Sequence, residues 1–491
     1  MGGDDQGSRI EPYSEPQRLQ KLRELSSLGL DPFGHRFTGI THHAEEITER
    51  CDALLGQDVR IAGRVRAVRL HGGSAFLDLQ DESGRIQVYV RKDAVGEQTF
   101  HLLDLLDLGD FLGVDGSVFR TRRGEPSVDA KELTPLSKAL RPPPAKYHGL
   151  QDTELRYRYR YLDLMANPEV RRTFRQRSAI VQAFRRVLDE RGFLEVETPV
   201  LHHQATGAAA RPFSTHHNAL DLDLNLRIAL ELHLKRLLVG GFERVYEIGR
   251  VFRNEGISTR HNPEYTLMEC YQAYGDREDM MDLTEALVRE SAIAALGTAR
   301  FTYREEEYDA GLPWRRVTFA QAIRDNGGPD IDAFADEEDW RRAAREAGVD
   351  AEQPIAKLMD DIFERYAQPQ LRQPTFVLDH PAVMSPLARA AEDPRYALRF
   401  EAMIAGMEIG NAYSEQNSPL AQREAFAQQQ SQRQRGDAEA HPVDEDFLFA
   451  LEHGMPPTGG LGVGVDRLCM LLLDAASLRD VILFPLQRPR A

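Results

Sequence analysis

Cysteine is scarce: 491 residues contain three, Cys51, Cys270 and Cys469. An odd count argues against a disulfide framework, and none of the spacings suits a zinc pair. Such a chain fits the reducing cytoplasm. Long apolar runs are missing too. None approaches the ~18 residues of a membrane helix, so no membrane span is expected. The opening Met1-Gly-Gly-Asp-Asp-Gln-Gly-Ser8 is polar and acidic, unlike a secretory leader. Gly2 invites a myristoyl reading, but position 6 is Gln, not Ser or Thr. A disordered tail over 1–15 is expected instead. Positive charge is in deficit, with a net charge of −17. That argues against whole-surface attraction to nucleic acid, and DNA is not an expected partner. It leaves room for a local basic patch. Two nucleotide signatures are also absent. There is no G-x-x-x-x-G-K-[ST] loop, and the glycine-rich run from Gly459 lacks the third glycine of G-x-G-x-x-G.

The length implies more than one domain, since a single core rarely grows past ~250–300 residues. Hydrophobic content of 42% and charged content of 28% suit a soluble globular protein. Gln17–Leu28 can form a short amphipathic helix, so 1–56 reads as a tail with a helix. From Asp58 the period becomes two. Val59, Ile61, Gly63 and Val65 alternate with Arg60, Arg64 and Arg66; Ala75, Leu77 and Leu79 follow, then Ile86, Val88 and Val90 after a turn at Ser83-Gly84. With further strands near 111–119 and 127–133, residues 57–140 predict a small β-barrel. Arg141-Pro-Pro-Pro-Ala-Lys146 opens a stiff linker over 141–160. Residues 161–491 mix α and β. Ile180, Val181, Phe184, Val187 and Leu188 form the buried stripe of a helix that Gly192 ends. Phe193–Thr198 is a strand stopped by Pro199. Helical and irregular segments fill 276–370, strands return at Thr375–Leu378 and Ile404–Tyr413, and Ala421–Arg435 is a solvated helix.

The most informative segment is Tyr246-Glu-Ile-Gly-Arg-Val-Phe-Arg-Asn-Glu-Gly-Ile-Ser-Thr-Arg-His-Asn-Pro-Glu-Tyr-Thr-Leu-Met-Glu-Cys-Tyr271, which reads strand, polar loop, strand. Alternation puts Tyr265, Leu267, Glu269 and Tyr271 on one face, and Val251 with Arg253 on a face of the first strand. If those faces adjoin, an arginine that can fork two hydrogen bonds to a phosphate or carboxylate meets an acid and two tyrosines. A tyrosine can stack on a purine, and Arg260, His261 and Asn262 add donors. A surface hairpin laced with salt bridges explains any one of these residues but not the cluster. Farther on, Glu401 and Glu408 are hard oxygen donors suited to Mg²⁺. Asn411, Tyr413 and Glu415 share a strand face. Strict alternation aims Glu408 away from Asn411, so a bulge or break at Gly410 is expected. The bland reading of Glu401 is a solvated helix residue. In Gly459-Gly-Leu-Gly-Val-Gly-Val-Asp-Arg467 small residues allow close approach, and Arg467 opens a helix whose N-terminus favours anions. On the polar face of the barrel, Phe76 and Gln87 suit unpaired bases, at ~1–3 kcal/mol per stacked base. That Phe76 closes the barrel end competes equally. His202-His203 and His216-His217 lack partners at ligand spacing and read as polar loop histidines.

Together these segments resemble the class II aminoacyl-tRNA synthetases, specifically the bacterial lysyl type, from about Gln17 to the C-terminus. Gly192-Phe-Leu-Glu-Val-Glu-Thr-Pro199 resembles motif 1, Phe252-Arg-Asn-Glu-Gly256 with Arg260-His-Asn-Pro-Glu264 motif 2, and Gly462-Val-Gly-Val-Asp-Arg467 motif 3. The lysyl subgroup is marked by Ala210-Arg-Pro-Phe213, His216-His-Asn-Ala-Leu-Asp-Leu-Asp223, Asp379-His-Pro381, Ser385-Pro-Leu-Ala388 and Arg479-Asp-Val-Ile-Leu-Phe-Pro485. The resemblance implies an α+β protein. An OB-fold anticodon-binding barrel precedes a catalytic domain with an antiparallel sheet flanked by helices. It implies ATP, Mg²⁺, L-lysine and tRNA(Lys) as ligands, and a homodimer built by motif 1.

Carried over by residue, Arg253 bridges the α-phosphate and the amino-acid carboxylate, and Arg467 holds the γ-phosphate. Glu255, His261, Asn262 and Glu408 contact ATP, and Tyr265 stacks on adenine. Glu401 and Glu408 hold Mg²⁺. Gly207 and Glu231 receive the α-amino group and Asn411 the carboxylate. Glu269, Tyr271, Tyr413 and Glu415 line the lysine pocket. Phe76, Gln87 and Glu125 read the anticodon.

The implied chemistry needs no protein nucleophile. The lysine carboxylate attacks the α-phosphorus of ATP in line, giving lysyl-adenylate and pyrophosphate. The terminal adenosine hydroxyl of tRNA then attacks the adenylate carbonyl. Positioning and charge neutralisation are the protein's share. A related aspartyl site needs a cation facing the side chain; here two carboxylates and a tyrosine match an ammonium. Two rivals stand beside this reading. A lysyl-adenylate former that modifies a protein is disfavoured by the intact barrel. A non-catalytic RNA-binding paralogue is disfavoured by Arg253, Arg467, Glu401 and Glu408.

Overall fold

The computed structural model describes residues 15–144, 150–204, 206–208, 210–434 and 443–489. Most of the expected tail, residues 145–149 of the linker, and Arg435 lie outside these. The chain divides into two compact units, Met1–Leu150 and Gln151–Ala491.

In the first unit the period-2 segments become five strands: Asp58–His71, Ser74–Gln80, Arg85–Arg91, Phe111–Arg120 and Pro126–Ser137. They close into a barrel in the order first, second, third, fifth, fourth. Ala75, Leu77, Leu79, Ile86, Val88 and Val90 fill its interior, as alternation requires. Leu25 of helix Pro16–Ser27 and Ile47 of helix Ala44–Glu49 join the same core.

The second unit is built on an eight-stranded sheet. Its order is Arg315–Thr318, Thr375–Leu378, Arg399–Ile404, Met407–Ser414, Thr458–Gly464, Glu264–Ala273, Arg244–Phe252 and Leu194–Glu195. The outermost pair at each edge is parallel and every other pair antiparallel. Helix Pro168–Glu190 lays Ile180, Phe184, Val187 and Leu188 into the main core, beside helix Arg277–Leu296. A capping box at Asp276 starts the latter helix, and Gly297 in the left-handed region ends it.

Several segments depart from the sequence reading. Phe193–Thr198 pairs only at Leu194–Glu195. Residues 276–370 include strands Arg300–Tyr303, Glu306–Asp309 and Arg315–Thr318. Ile404–Tyr413 is not one strand. Ala405 (φ 55°) and Gly406 (φ 68°) turn the chain between Arg399–Ile404 and Met407–Ser414, and the apolar Ala405 hides that turn from a pattern search. The Gln-rich helix Pro419–Gln434 buries Gln422 and Gln429 and so is not wholly solvated. His202, His216 and His217 lie on short strands, Leu201–His202 and Ser214–His217, rather than in loops, while His203 falls in the bend that follows the first. His202 packs against His233, with ring centres 4.6 Å apart.

Candidate active site

The hairpin pairs Val251 with Tyr265, Glu247 with Glu269 and Val245 with Tyr271. Directly opposed residues share a face, so the expected convergence forms. The Arg253 guanidinium carbon lies 5.5 Å from the Tyr265 ring centre. Arg253 Nε is buried without a hydrogen-bond partner. A buried donor left open costs free energy unless a ligand fills it. A cavity of about 790 Å³ lies over this face. Every residue expected at the ATP, amino-acid and metal positions lines it.

Acids gather at one end. Glu269 is buried and accepts hydrogen bonds from the Tyr271 hydroxyl (3.0 Å) and the Leu230 backbone N–H (3.1 Å). Burial, reinforced by Glu231, pushes its carboxyl up to about 7. Burial also raises the Glu415 carboxyl, against the pull of Lys235. Neither Glu415 oxygen has an aligned hydrogen bond; its ion contact is Lys235 Nζ, 2.5 Å from Oε2. Gly460 makes room for this end. A Cβ there would come within 2.0 Å of Glu415 Oε1 and 2.5 Å of Tyr271 Cε1. Gly460 is therefore a requirement of the pocket wall.

At the other end Glu401 sits on a strand, directly opposite Asn411, not on a solvated helix. The register slips between Ala402, which faces Gly410, and Met403, which faces Glu408. Ile409 is thus the extra residue, next to Gly410 where the break was expected. The bulge returns Glu408 to the face of Asn411, whose Nδ2 donates to Glu408 Oε1 at 3.2 Å. Arg467 Nη1 donates to the Glu408 carbonyl at 2.6 Å and lies 3.3 Å from its Oε2. Burial works to raise the Glu401 carboxyl. His380 and the Arg399 guanidinium, 2.6 Å away, more than offset it and hold the carboxyl below its usual range. On helix Ile355–Tyr366, Asp360 also faces the cavity; burial, then Glu401 and Glu364, push its carboxyl up to about 7.

No group of three His, Cys, Asp or Glu among the described residues could hold a metal ion. The donor set still fits Mg²⁺, which takes one or two carboxylates and completes its octahedron with water and phosphate oxygens. The surplus negative charge that lifts Asp360 also favours a cation here.

Between the ends, the hairpin loop carries Glu255 and His261, both exposed, and the buried Asn262. Asn262 Nδ2 donates to the Glu264 carbonyl at 2.6 Å, leaving Oδ1 without a partner. Burial and Arg467 lower the His261 imidazole pKa, favouring its neutral form. Sequence reasoning missed Lys235, Asp360, Arg399 and the buried pair Arg227–Glu247 (2.6 Å). Glu247, polar inside an alternating strand, was the one available signal.

On the barrel, Ala75 and Leu77 fill the interior and leave Phe76 half-buried on the outer face, not closing the end. Phe76 stacks on Tyr89 (centres 4.8 Å apart, 28° between planes), and Tyr89 meets Phe119 at 5.9 Å. Gln87 Nε2 donates to Glu125 Oε2 at 3.1 Å, while Ser127 Oγ donates to Gln87 Oε1 at 3.0 Å. The three residues expected to read bases thus form one patch with an aromatic floor.

A family model for class II tRNA synthetases (D, K and N) matches residues 152–488, and one for an OB-fold nucleic-acid-binding domain matches 59–136. The chain is 55% identical to a lysine–tRNA ligase of Moorella thermoacetica, covering 96% of this chain and 97% of that protein. It is 52% identical to one of Carboxydothermus hydrogenoformans over the same shares. It is 49% identical to one of Enterococcus faecalis, covering 99% of this chain and all of the other.

Proposed function

The chain belongs to the class II tRNA synthetases, among the lysine–tRNA ligases, and from that premise we propose that it activates L-lysine with ATP and transfers it to the 3′ end of tRNA(Lys). The observation that carries this reading is the unpartnered, buried Arg253 Nε lying between an aromatic ring and a pocket of acids. Arg253 can grip the α-phosphate and the lysine carboxylate together, bringing nucleophile and phosphorus into line. Tyr265 offers its face to adenine, and Arg467 balances the terminal phosphate. Gly207 and Glu231 receive the α-ammonium and Asn411 the carboxylate. Glu269, Tyr271, Tyr413 and Glu415 receive the side-chain ammonium. Glu401 and Glu408 would hold Mg²⁺, which would neutralise phosphate charge as it builds. Phe76, Gln87 and Glu125 read the anticodon by stacking and edge hydrogen bonds.

Two further parts of the reading concern assembly and compartment. Leu194 of the motif 1 segment, and Val200 and Leu201 just after it, are exposed apolar residues and suit a second copy of the chain, giving a homodimer. Three free, buried cysteines suit the cytoplasm. ATP–pyrophosphate exchange with each common amino acid, followed by charging of tRNA(Lys), tests the activity. Exchange led by lysine supports it. Exchange led by aspartate or asparagine, or absent with lysine, overturns it.

A further inference from the structure

Lys235 lies on helix Glu231–Val239, one turn after Glu231 and on the same side of the helix. It is fully buried and does not line the cavity. Its Nζ is 2.5 Å from Glu231 Oε1 and 2.5 Å from Glu415 Oε2, so those two oxygens sit no more than twice that distance apart. The ring centres of Tyr271 and Phe447 each lie 5.9 Å from the same nitrogen. The ammonium is thus caged by two acids and two rings, outside the space a substrate would enter.

We propose that Lys235 is a positioning residue that sets which diamino acid the pocket accepts, by tying the carboxylate meant for the α-ammonium to the one meant for the side-chain ammonium. The inference rests on the proposed lysine-activating reading and deepens it. Charge balance points the same way. Glu231, Glu269 and Glu415 carry three potential negative charges, and Lys235 offsets one. Two remain, matching the two ammonium groups of a diamino acid. Without Lys235 the acids would repel one another and one would keep a proton. A lone buried carboxylate also has little to hold it in one orientation, whereas a shared ammonium fixes both acids in a single geometry. The spacing of the two acids then reads the length of the chain between the two ammonium groups.

The test compares lysine with ornithine, one methylene shorter, in ATP–pyrophosphate exchange. A single methylene is worth roughly 10–200-fold in discrimination, the range expected of the wild type. Lys235→Met keeps length and removes charge. We expect its KM for lysine to rise about tenfold or more, its KM for ATP to stay within about twofold, and its lysine-to-ornithine ratio of kcat/KM to fall at least about fivefold. Lys235→Arg keeps the charge but changes its reach; it too should alter the ratio, and it alone decides if Lys235→Met does not fold. A group that only holds the fold together would move the parameters for ATP and for both amino acids alike. A wild-type ratio in a variant that still binds ATP overturns the inference alone. Absence of lysine-dependent exchange in the wild-type protein overturns the activity first, and the inference with it.

Discussion

A carboxyl group buried among other acids keeps its proton toward neutral pH, and Glu269 does so with its pKa raised to about 7. The sign of the consequence is fixed. A carboxyl whose folded-state pKa lies above its usual value of about 4.5 adds stability below that value and loses it as pH rises through 7. The full swing is of order 3 kcal/mol. In thermal melts of the ligand-free protein between pH 5 and 8.5, Glu269→Gln should gain on the wild type as pH rises. Lysine reverses the preference, because its ammonium favours the carboxylate. The stabilisation given by added lysine should therefore grow through pH 7. A pH-independent gap between wild type and variant would remove Glu269 from this role. In exchange assays, Glu269→Gln or Glu415→Gln should raise KM for lysine about a hundredfold, as expected for losing a buried charge partner. KM for ATP should change by less than about threefold. Lysine-dependent exchange at the wild-type level in either variant would sink the assignment.

Elements matter here through what they leave out. The strand Thr458–Gly464 serves the pocket by having no side chain at Gly460, where Glu415 and Tyr271 occupy the space a Cβ would need. Gly460→Ala should cost roughly a hundredfold in kcat/KM for lysine, by shifting two groups that face the substrate. It should leave ATP binding near wild type, since Tyr265 and Arg467 lie outside the clash. Equal losses for both substrates would mean that the strand itself had moved. Legibility in the sequence follows the same division. The hairpin carrying Arg253, Tyr265 and Glu269 was readable because period-2 alternation and a dense polar loop are local signals. The bulge at Ile409 was readable because Glu408 and Asn411 conflict under strict alternation. Lys235 was not readable, because it sits with His233 and Arg236 in an amphipathic helical segment, Leu232 to Val239, as an ordinary snorkelling lysine would. The acid that gives it meaning, Glu415, lies far along the chain, just past the end of strand Met407–Ser414. Arg399 and Asp360 were hidden for the same reason: their significance is a contact between elements that no periodicity encodes.

The molecule as a whole separates two recognition tasks between units that each have a core. The barrel core is built from residues up to Leu133, and the sheet cores begin after the division at Leu150. Two classes of alternation, one closing into a barrel and one opening into a sheet with helices, made this division visible in the sequence. Relative placement of residues along a strand was visible as well, but the aromatic floor under Phe76 was not. Tyr89 and Phe119 come from other strands, and only the barrel's closure brings them together. Because the cores are separate, damage to the barrel's outer patch should leave adenylate formation untouched. Phe76→Ala removes one stacking surface from a half-buried position and nothing from the interior, where Ala75 and Leu77 remain. A lost base stack is worth ~1–3 kcal/mol, so KM for tRNA(Lys) in aminoacylation should rise about ten- to a hundredfold. Lysine-dependent pyrophosphate exchange should stay at the wild-type rate, because it takes place wholly in the second unit. Running both assays on one preparation of the variant separates the outcomes. A fall in charging alone assigns Phe76 to the RNA. A parallel fall in exchange would mean that the barrel supports the catalytic unit, and no change in either would return Phe76 to a packing role.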